Sequence, residues 1–380
     1  MKLGVVTHYM PPHQGGIEHV AEVLFSAYIE AGIEVRWIAS RVPAAAPAHE
    51  ARRIRVRCWN GLERALGLPV PIWSADGWRE LVRLVRWADA LHVHDCLYPS
   101  SAVAMALARR AGKPVLLSQH VGFVHYAVPV LNWVEQAVYA TLGRAILRGA
   151  SRVVFATPAA ARYVATLVPI PLERTIAIPN GIDTTRFRSM TSEEGRMARE
   201  SLGLPLDRPI VLFAGRLVAK KGIDLVLGVS GYLPGTHFLI VGDGPMQHLL
   251  RKRRENVSWI PAVLPERMPD CYGACDCVLL PSRDEGLPLV VQEAMASARP
   301  AVISEDEPYA ADLLQAGVCA GAPRAEAPLA GQVRRLIEGE AREMGPRARA
   351  YAEAHWERKT MVDRYVRVLE HMTSTAAPGR

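Results

Sequence analysis

The sequence from residue 209 to residue 222 is PIVLFAGRLVAKKG, and this stretch decides the fold. Its apolar run at 210–214 is short and uninterrupted, which is typical of a strand buried on both faces of a sheet. The loop that follows carries an arginine, Arg216, and a pair of lysines, Lys220 and Lys221. Because open α/β sheets bind ligands at the carboxyl ends of their strands, the stretch predicts a parallel sheet with a charged binding edge. An exposed basic loop is the alternative that these residues leave open.

Comparable apolar runs recur on both sides of this stretch, separated by segments with helical spacing. They lie at residues 3–7, 35–39, 90–93, 115–117, 153–156 and 175–178 before it, and at 237–241, 257–260, 277–280 and 301–303 after it. Strands that alternate with helices predict parallel sheets covered on both faces. Residues 179–205 interrupt the alternation with turn-forming and charged residues, so we place a domain junction there. The sequence thus predicts two doubly wound α/β domains in tandem, followed by a helix at 351–372.

Size and composition exclude several classes of protein. The 380 residues suffice for two domains, and because 50% are hydrophobic and 22% charged, we expect a folded globular protein. The first twelve residues lack a signal-peptide pattern, so no secretion is expected. The uncharged segment 114–134 contains polar residues and prolines that argue against a membrane span. The net charge of +7 lies in basic runs without interleaved aromatic residues, and nucleic acid is not expected as a partner.

The six cysteines are too few and too scattered for a disulfide scaffold. Three of them, Cys271, Cys275 and Cys277, lie close together in the sequence. No fourth ligand follows at a zinc-like spacing, so we expect buried reduced thiols and no metal.

Two carboxylates follow the apolar run at 277–280. Glu285 and Glu293 are eight residues apart, with Gly286 and Pro288 between them. Proline is favoured in the first turn of a helix, so the first carboxylate is predicted in a loop and the second inside a helix. Carboxylates at this spacing are usually solvated helix residues. Here the preceding strand brings them to the ligand-binding edge of a sheet, which favours a functional interpretation.

Paired glycines, Gly15 and Gly16, separate the first predicted strand from the first predicted helix. Glycine lets a backbone approach a ligand closely, and a helix N-terminus offers unpaired N–H groups to an anion. A simple turn also explains the pair. The three-glycine dinucleotide fingerprint is absent, which argues against a nicotinamide-dependent enzyme.

Taken in order, the motifs of this chain resemble those of glycosyltransferase family 4, a family with the GT-B fold. The resemblance extends from the first strand to about residue 303. It is carried by Gly15-Gly16, LHVHD at 91–95, SQH at 118–120, PNGID at 179–183, Gly215-Arg216, KKG at 220–222, VGDGP at 241–245, Pro281-Ser282, Glu285 and Glu293. It implies an α/β protein of two Rossmann-like doubly wound domains that face a central cleft. Residues 1–185 would bind the acceptor, completed by a C-terminal helix at about 357–375, and residues 186–356 would bind the nucleotide sugar.

The resemblance also implies an activity, that of a retaining, metal-independent hexosyltransferase. The donor would be a UDP- or GDP-linked sugar, and the acceptor a glycan or lipid-linked molecule in cell-surface polysaccharide or glycolipid synthesis. No cofactor is expected, and the implied location is the cytoplasm. Two alternatives stay open: a catalytically silent glycan-binding or assembly subunit, and a sugar-nucleotide epimerase on the same fold.

The family's functional residues carry over to matching positions of this chain. Arg216 and Lys221 match the pair that binds the donor diphosphate and stabilises the departing nucleotide. Glu293 matches the carboxylate on the ribose hydroxyls, and Glu285 the acidic residue that faces the donor sugar. His120 matches a histidine near the reacting face of that sugar. The other matched positions contact the donor through their backbone: Gly16 at the diphosphate, and Gly286, Leu287, Pro288 and Leu289 beside the sugar and phosphate.

The chain departs from the family pattern in two places. Residues 298–302 are ARPAV, without the usual glycine before this strand, and residues 304–308 are SEDEP, without the usual glycine pair ahead of a glutamate. Both places lie at the rim of the expected donor pocket, so they bear on which sugar is used. His94 and Asp95 are expected to shape the acceptor side or stabilise their loop rather than to catalyse.

Aromatic and aliphatic residues are frequent at 121–147, and basic residues are concentrated at 52–57. The first segment predicts either core packing in the first domain or an apolar face that lies on a membrane surface. Together the two segments lead to the hypothesis of a lipid-linked acceptor and of peripheral contact with the inner face of the cell membrane.

Overall fold

The computed structural model describes residues 1–13, 16–42, 49–50, 52–61, 70–120, 133, 136–252 and 254–375. It divides the chain into two compact units. The first unit is Met1–Pro179 together with the chain from Lys359, and the second is Asn180–Arg358. The sequence predicts these junctions at 185/186 and about 357, a few residues away. The central cleft and the roles of the two domains stay predictions.

The first unit is built on an eight-stranded sheet. The described strands of the unit, in chain order, are β1 Lys2–Val6, β2 Glu34–Ser40, β3 His49–Glu50, β4 Arg53–Val56, β5 Cys58–Trp59, β6 Ile72–Trp73, β7 Ala90–His94, β8 Val115–Gln119, β9 Arg152–Phe155 and β10 Thr175–Ala177. Eight of these strands form the sheet. β5 and β6 form a separate antiparallel pair. The sheet order is β10-β9-β8-β7-β1-β2-β4-β3, and only β3 is antiparallel to its neighbour. The strand order reverses between β1 and β7, which makes the carboxyl ends of these strands the switch point of the sheet.

Apolar side chains of the first unit form two separate cores. Neighbouring residues of β8 belong to different cores, Leu116 to one and Leu117 to the other, because successive side chains of a strand point to opposite faces. Each face of the sheet is therefore covered. Among the described residues up to Pro179, the α-helices of this unit are α1 Gly16–Glu30, α2 Ala75–Trp87, α3 Pro99–Arg110, α4 Arg144–Gly149 after a π-helical turn at Tyr139–Gly143, and α5 Pro158–Leu167.

The second unit is built on a six-stranded parallel sheet. Its strands are β11 Ile210–Ala214, β12 His237–Val241, β13 Val257–Ile260, β14 Cys277–Leu280, β15 Ala301–Ser304 and β16 Ala320–Ala322. Within the described residues its α-helices are α6 Ser192–Ser201, α7 Ile223–Tyr232, α8 Met268–Ala274, α9 Leu289–Ala296, α10 Ala310–Gln315, α11 Glu326–Arg335 and α12 Ala341–Trp356. The sheet order β13-β12-β11-β14-β15-β16 places the switch point between β11 and β14. Ligands bind at such a point in open α/β sheets, and the charged residues of the sequence follow these two strands.

The continuous helix predicted at 351–372 is wrong. The chain forms α12 and a separate helix, α13 Arg358–Thr375, with extended backbone at Glu357, where ψ is 129°. The break has a tertiary cause. Ile182 donates its N–H to the carbonyl of Trp356 at 2.7 Å and accepts from the N–H of Arg358 at 3.0 Å, so this backbone pairs with a distant segment instead of with its own helix. α13 then packs one apolar face into the first unit, formed by Met361, Tyr365, Leu369 and Met372.

The clustered cysteines are buried and free. Burial raises the pKa of Cys271 and of Cys275 to about 12, so both thiols stay protonated. Within the described ranges, no three or more His, Cys, Asp and Glu side chains are grouped so as to hold a metal ion. None of the helices in that part of the chain is both long and apolar enough to cross a membrane.

Candidate active site

The loops after β11 and β14 are joined at the switch point of the second unit. Gly222, which ends the short turn Ala219–Lys221 and begins α7, has a left-handed φ of 72°. A Cβ atom there would lie 2.5 Å from the carbonyl oxygen of Pro281, just after β14. The N–H of Arg283 also donates to the carbonyl of Lys220 at 2.8 Å. Glycine at 222 therefore permits both the backbone conformation and the close approach of the two loops.

This junction brings together two of the residues singled out from the sequence, Lys221 and Glu285. The Nζ of Lys221 lies 3.0 Å from Oε1 of Glu285, and the Nζ of Lys220 lies 3.5 Å from the same oxygen. Burial acts to raise the pKa of Glu285, but the charges of Lys221 and Lys220 outweigh it, and the pKa lies below its ordinary value. Only 11% of the Glu285 side chain is exposed. The site thus holds an ionised, mostly buried carboxylate between two ammonium groups.

Arg216 belongs to the same strand end but is not part of this cluster. Arg216 lies two residues after the end of β11, and its side chain is exposed. Within the described residues, its guanidinium forms neither a hydrogen bond nor an ion pair. A guanidinium has five donors in a fixed fork, the geometry that binds a phosphate through two parallel hydrogen bonds. Arg216 is therefore available to an anionic ligand at the ligand-binding edge of the sheet.

Glu293 lies in the second turn of α9, as the sequence predicts, and has a partner that the sequence did not reveal. The hydroxyl of Tyr272, which is fully buried, donates to Oε2 of Glu293 at 2.7 Å. Burial of the carboxylate raises the pKa of Glu293 to about 7, although the hydrogen bond from Tyr272 acts in the opposite direction. A tyrosine thus orients one oxygen of the carboxylate that the resemblance assigns to ribose.

The segment from Gly286 to Leu289 connects Glu285 to α9. Leu287 is 8% exposed and packs in the core of the second unit. Pro288 is the N-cap of α9, with the extended φ and ψ of −66° and 127°. A buried leucine and a proline restrict this segment, so its backbone is held in place between the two carboxylates.

Glu307 is a further residue of this site that the sequence patterns did not predict. One of its oxygens accepts the N–H of Asp284 and the other accepts the N–H of Glu285, each at 2.8 Å. The residue is 6% exposed. Burial raises the pKa of Glu307 to about 7, against the effect of the two N–H donors. The available signal was the loop at 304–308, which lacks the family's usual glycine pair and carries three acidic residues instead.

His120 lies directly after β8 in the first unit, beside His94 at the end of β7. Nδ1 of His94 and Nε2 of His120 share a hydrogen bond of 2.9 Å, and the two rings are stacked with centroids 5.2 Å apart. Burial lowers the pKa of His120 to about 4, and the charge of Glu18 offsets only part of this effect. Burial also lowers the pKa of His94 well below its ordinary value. Both imidazoles are therefore neutral at pH 7, and one donates to the other.

A hydrogen-bonded network of buried polar side chains lies next to these histidines. His92 lies 4.2 Å from His94 between ring centroids, and its two nitrogens bond the hydroxyls of Tyr28 and Ser118 at 3.1 and 2.8 Å. Ser118 in turn bonds the hydroxyl of Tyr365 at 3.0 Å. α13 therefore contributes a polar anchor as well as apolar surface to the first unit.

Asp95 holds the loop after β7. It is fully buried, with a left-handed φ of 66° that is rare for a residue with a side chain. Its Oδ1 accepts the side-chain amide of Gln119 at 3.0 Å and the N–H of Leu97 at 3.4 Å. Burial raises the pKa of Asp95 to about 6. These contacts favour loop stabilisation, one of the two roles expected for Asp95 from the sequence; the other, shaping the acceptor side, stays a prediction.

Gly16 is the first residue of α1, while residues 14–15 lie outside the described residues. Among the residues that the structure describes, a Cβ atom at Gly16 would meet nothing within 4 Å, so their packing does not require glycine here. Two residues on, Glu18 is buried and its Oε1 lies 2.9 Å from Nδ1 of His13 and 3.5 Å from Nε2 of His8. The open space at Gly16 is what close approach of a ligand would need.

The membrane hypothesis rests on two segments, 121–147 and 52–57, and the structure describes less of the first than of the second. Most of 121–147, including 121–132 and 134–135, lies outside the described residues; of the remainder, Tyr139 is buried and Trp133 is 74% exposed. In the basic segment three arginines form ion pairs within the chain. The pairs are Arg53 with Glu22, Arg55 with Glu50 and Arg57 with Asp76.

Two family models match this chain. The model described as Glycosyltransferase Family 4 matches residues 14–186, and the model described as Glycosyl transferases group 1 matches residues 196–355. The first match falls largely on the first unit and the second match within the second unit. Together they span most of the chain.

Two of the curated relatives compared with this chain are named as glycosyltransferases, and a third is named as a synthase. The D-inositol 3-phosphate glycosyltransferase of Nocardia farcinica is 30% identical over 303 residues, covering 73% of this chain and 66% of the relative. Its counterpart in Acidothermus cellulolyticus is 28% identical, with 59% and 53% covered. The alpha-galactosylglucosyldiacylglycerol synthase of Streptococcus pneumoniae is 25% identical, with 68% and 75% covered. The chain thus spans about half to two thirds of the length of the two inositol-phosphate transferases.

Solved structures of similar fold cover nearly the whole chain. Sucrose-phosphate synthase from Thermosynechococcus elongatus superposes with a TM-score of 0.78 at 19% identity, covering 98% of this chain and 99% of that one. Anabaena HepE, solved in complex with UDP-glucose, gives 0.77 at 17%, covering 98% and 100%. Identities this low show the fold alone. The chain therefore has the GT-B fold, and the family models show that it belongs to glycosyltransferase family 4, group 1.

Proposed function

We propose that this protein is a retaining glycosyltransferase that moves a hexosyl-type sugar from a UDP- or GDP-linked donor to a glycan or lipid-linked acceptor. The observation that carries the proposal is the ionised Glu285 held between Lys220 and Lys221 at the switch point of the second unit. This arrangement supplies a carboxylate for sugar hydroxyls directly beside cations for a diphosphate, and a nucleotide sugar carries both groups.

In this proposal the donor is bound by charge and by hydrogen bonds. Arg216 binds the diphosphate through two parallel hydrogen bonds from its guanidinium, and Lys221 attracts the diphosphate as a single positive charge. Glu293, which is oriented by Tyr272, accepts hydrogen bonds from the ribose hydroxyls, and Glu285 accepts hydrogen bonds from hydroxyls of the sugar. Gly16 leaves room for the diphosphate at the start of α1.

Sugar transfer needs stabilisation of the departing nucleoside diphosphate, which gains negative charge as its bond to the sugar breaks. Arg216 and Lys221 provide this stabilisation in the proposed mechanism. The acceptor hydroxyl oxygen forms its bond to the anomeric carbon on the face that the phosphate leaves, and its proton passes to a phosphate oxygen of the leaving group. Attack and departure on one face retain the anomeric configuration without a nucleophile from the protein. His120, a neutral imidazole, is the proposed contact to the reacting sugar.

A thermal-shift experiment tests the donor site. Purified protein is heated with UDP, GDP, ADP and dTDP and with their sugars, because a ligand that binds only the folded state stabilises it, by about 2.7 kcal/mol at 100 times its Kd. We expect a shift with one base, lost in Arg216→Ala and kept in the control Arg251→Ala, which changes an exposed arginine elsewhere in the unit. The absence of a shift with every nucleotide would refute the proposed donor site. Conversion of the donor to its epimer without acceptor would favour an epimerase.

A lipid-linked acceptor and peripheral membrane contact belong to the same proposal. Two arginines, Arg109 and Arg148, line a surface cavity of about 440 Å³ in the first unit, which suits an anionic headgroup. Flotation with anionic vesicles at low salt should recover the wild-type protein and the control Arg347→Glu, but not a variant with glutamate at both cavity arginines. Equal recovery of all three, or of none, would contradict a membrane role for this cavity.

A further inference from the structure

The loop that carries Glu285 is held by a carboxylate from the loop that follows the neighbouring strand, β15. Consecutive N–H groups, those of Asp284 and Glu285, point at the two oxygens of Glu307, each at 2.8 Å. Asp284 has a left-handed φ of 57°, which gives the backbone the concave shape in which successive N–H groups converge on one anion. The anion in this concavity is part of the protein itself.

Glu307 is supported by a rigid frame. It follows β15, which pairs with β14, and the hydroxyl of Ser304 donates to the carbonyl of Ser282 at 2.7 Å between the two strand ends. The carbonyl of Glu307 accepts the N–H of Ala310 at the start of α10 at 2.9 Å. The two acids that precede Glu307 are exposed, whereas Glu307 itself is buried. Its side chain is therefore directed inward by the fold.

The contact acts on Glu285 through the backbone. The residue whose N–H is bound by Glu307 is the residue whose carboxylate pairs with Lys221 at 3.0 Å. Without an acceptor, two partly buried N–H groups would lose their hydrogen bonds, and the left-handed conformation of Asp284 would lose its support. The backbone would then relax, and the Glu285 carboxylate would move with it.

We propose that Glu307 is a positioning residue that holds Glu285 in place, and that it thereby sets the affinity for the sugar part of the donor. The assignment of Glu285 to the donor sugar rests on the proposed function. The loop at 304–308, where the chain departs from the family pattern, thus contributes a carboxylate that works through the neighbouring loop.

Binding of a nucleoside diphosphate and of its nucleotide sugar, measured by calorimetry, tests the inference. In Glu307→Ala we expect the nucleotide sugar to bind about tenfold more weakly, while the nucleoside diphosphate keeps its affinity within about twofold, because only the sugar meets Glu285. Glu307→Gln retains one acceptor oxygen and should lie between. The control Asp306→Ala, which removes an exposed carboxylate from the same turn, should match the wild type. Equal weakening of both ligands would overturn the inference.

Hydrogen exchange of the unliganded protein tests the structural half independently of any donor. Peptides covering 283–289 should exchange faster in Glu307→Ala, less so in Glu307→Gln, and at the wild-type rate in Asp306→Ala. Unchanged exchange in both Glu307 variants would overturn the inference even if the affinities changed. If the alanine variant does not fold, the glutamine variant carries both tests. A wild-type protein that binds no nucleotide sugar would refute the proposed function and the affinity claim together, while exchange would still decide whether Glu307 holds the loop.

Discussion

Replacement of Glu293 by glutamine is expected to change how the stability of the second unit depends on pH. Burial raises the pKa of Glu293 from its ordinary value of 4.5 to about 7. A carboxyl group whose pKa is higher in the folded state contributes stability that is fully present below pH 4.5 and is lost as the pH rises through 7. Glutamine does not titrate, and its side-chain oxygen can still accept the hydrogen bond of Tyr272. The free energy of unfolding of the variant should therefore not decrease for this reason as the pH rises.

The size of the effect follows from the shift. A difference of 7 − 4.5 = 2.5 pKa units corresponds to about 3 kcal/mol at about 1.4 kcal/mol per unit. Between pH 5 and pH 8 most of this difference is expressed. Because Glu293 is partly exposed, solvent screening reduces the effect, and we expect the wild type to lose about 2 kcal/mol more than the variant. Glu307 also has a pKa of about 7, but it titrates in both proteins and cancels in the comparison.

The assay is urea unfolding at pH 5 and pH 8, read by pulse proteolysis with peptides of the second unit quantified separately. Separate quantification is needed because a chain of two units need not unfold in one step. Glu343→Gln, which changes an exposed glutamate of α12, is the matched control and should follow the wild type. The reasoning fails if Glu293→Gln loses as much stability between the two pH values as the wild type does.

Three further perturbations follow from the same contacts. Lys221→Met should lower kcat about 100-fold, because one cation on the leaving group is lost, whereas the exposed control Lys252→Met should not; equal kcat in both would contradict the assignment. Gly222→Ala should lower the free energy of unfolding by about 2 kcal/mol, because φ at this position is 72° and a Cβ atom would contact a carbonyl oxygen. The control Gly231→Ala, near the end of α7 where a Cβ atom meets no described residue, should not lower it. Urea unfolding measures the free energy of unfolding of both variants. Tyr365→Phe should cost about 1 kcal/mol by removing a buried hydroxyl from the β8 network, and an unchanged thermal midpoint would show that this bond adds nothing.

Local sequence patterns were sufficient for the strands that form the site. The bounds predicted at 210–214, 237–241, 257–260 and 277–280 are those of β11 to β14. β11, β12 and β14 are short runs buried on both faces, and such a strand needs no other signal, whereas β13 is partly buried along its length. The same logic placed Lys221, Glu285 and Glu293 at one edge of one sheet, because parallel strands end at that edge.

The sequence by itself therefore determined the two α/β units, the strand ends and most of the charged residues there. The tertiary structure alone decided the partners of those residues. The helix break at Glu357 depends on backbone pairing with Ile182, and the role of Glu307 depends on two N–H groups 22 and 23 residues away. Burial, paired charges and hydrogen bonds also set the ionisation of Glu285 and Glu293 in opposite directions, though the residues lie in one short segment. The physical reason is that strand periodicity is a property of neighbouring residues, whereas desolvation and hydrogen-bond partners depend on segments that only the fold brings together.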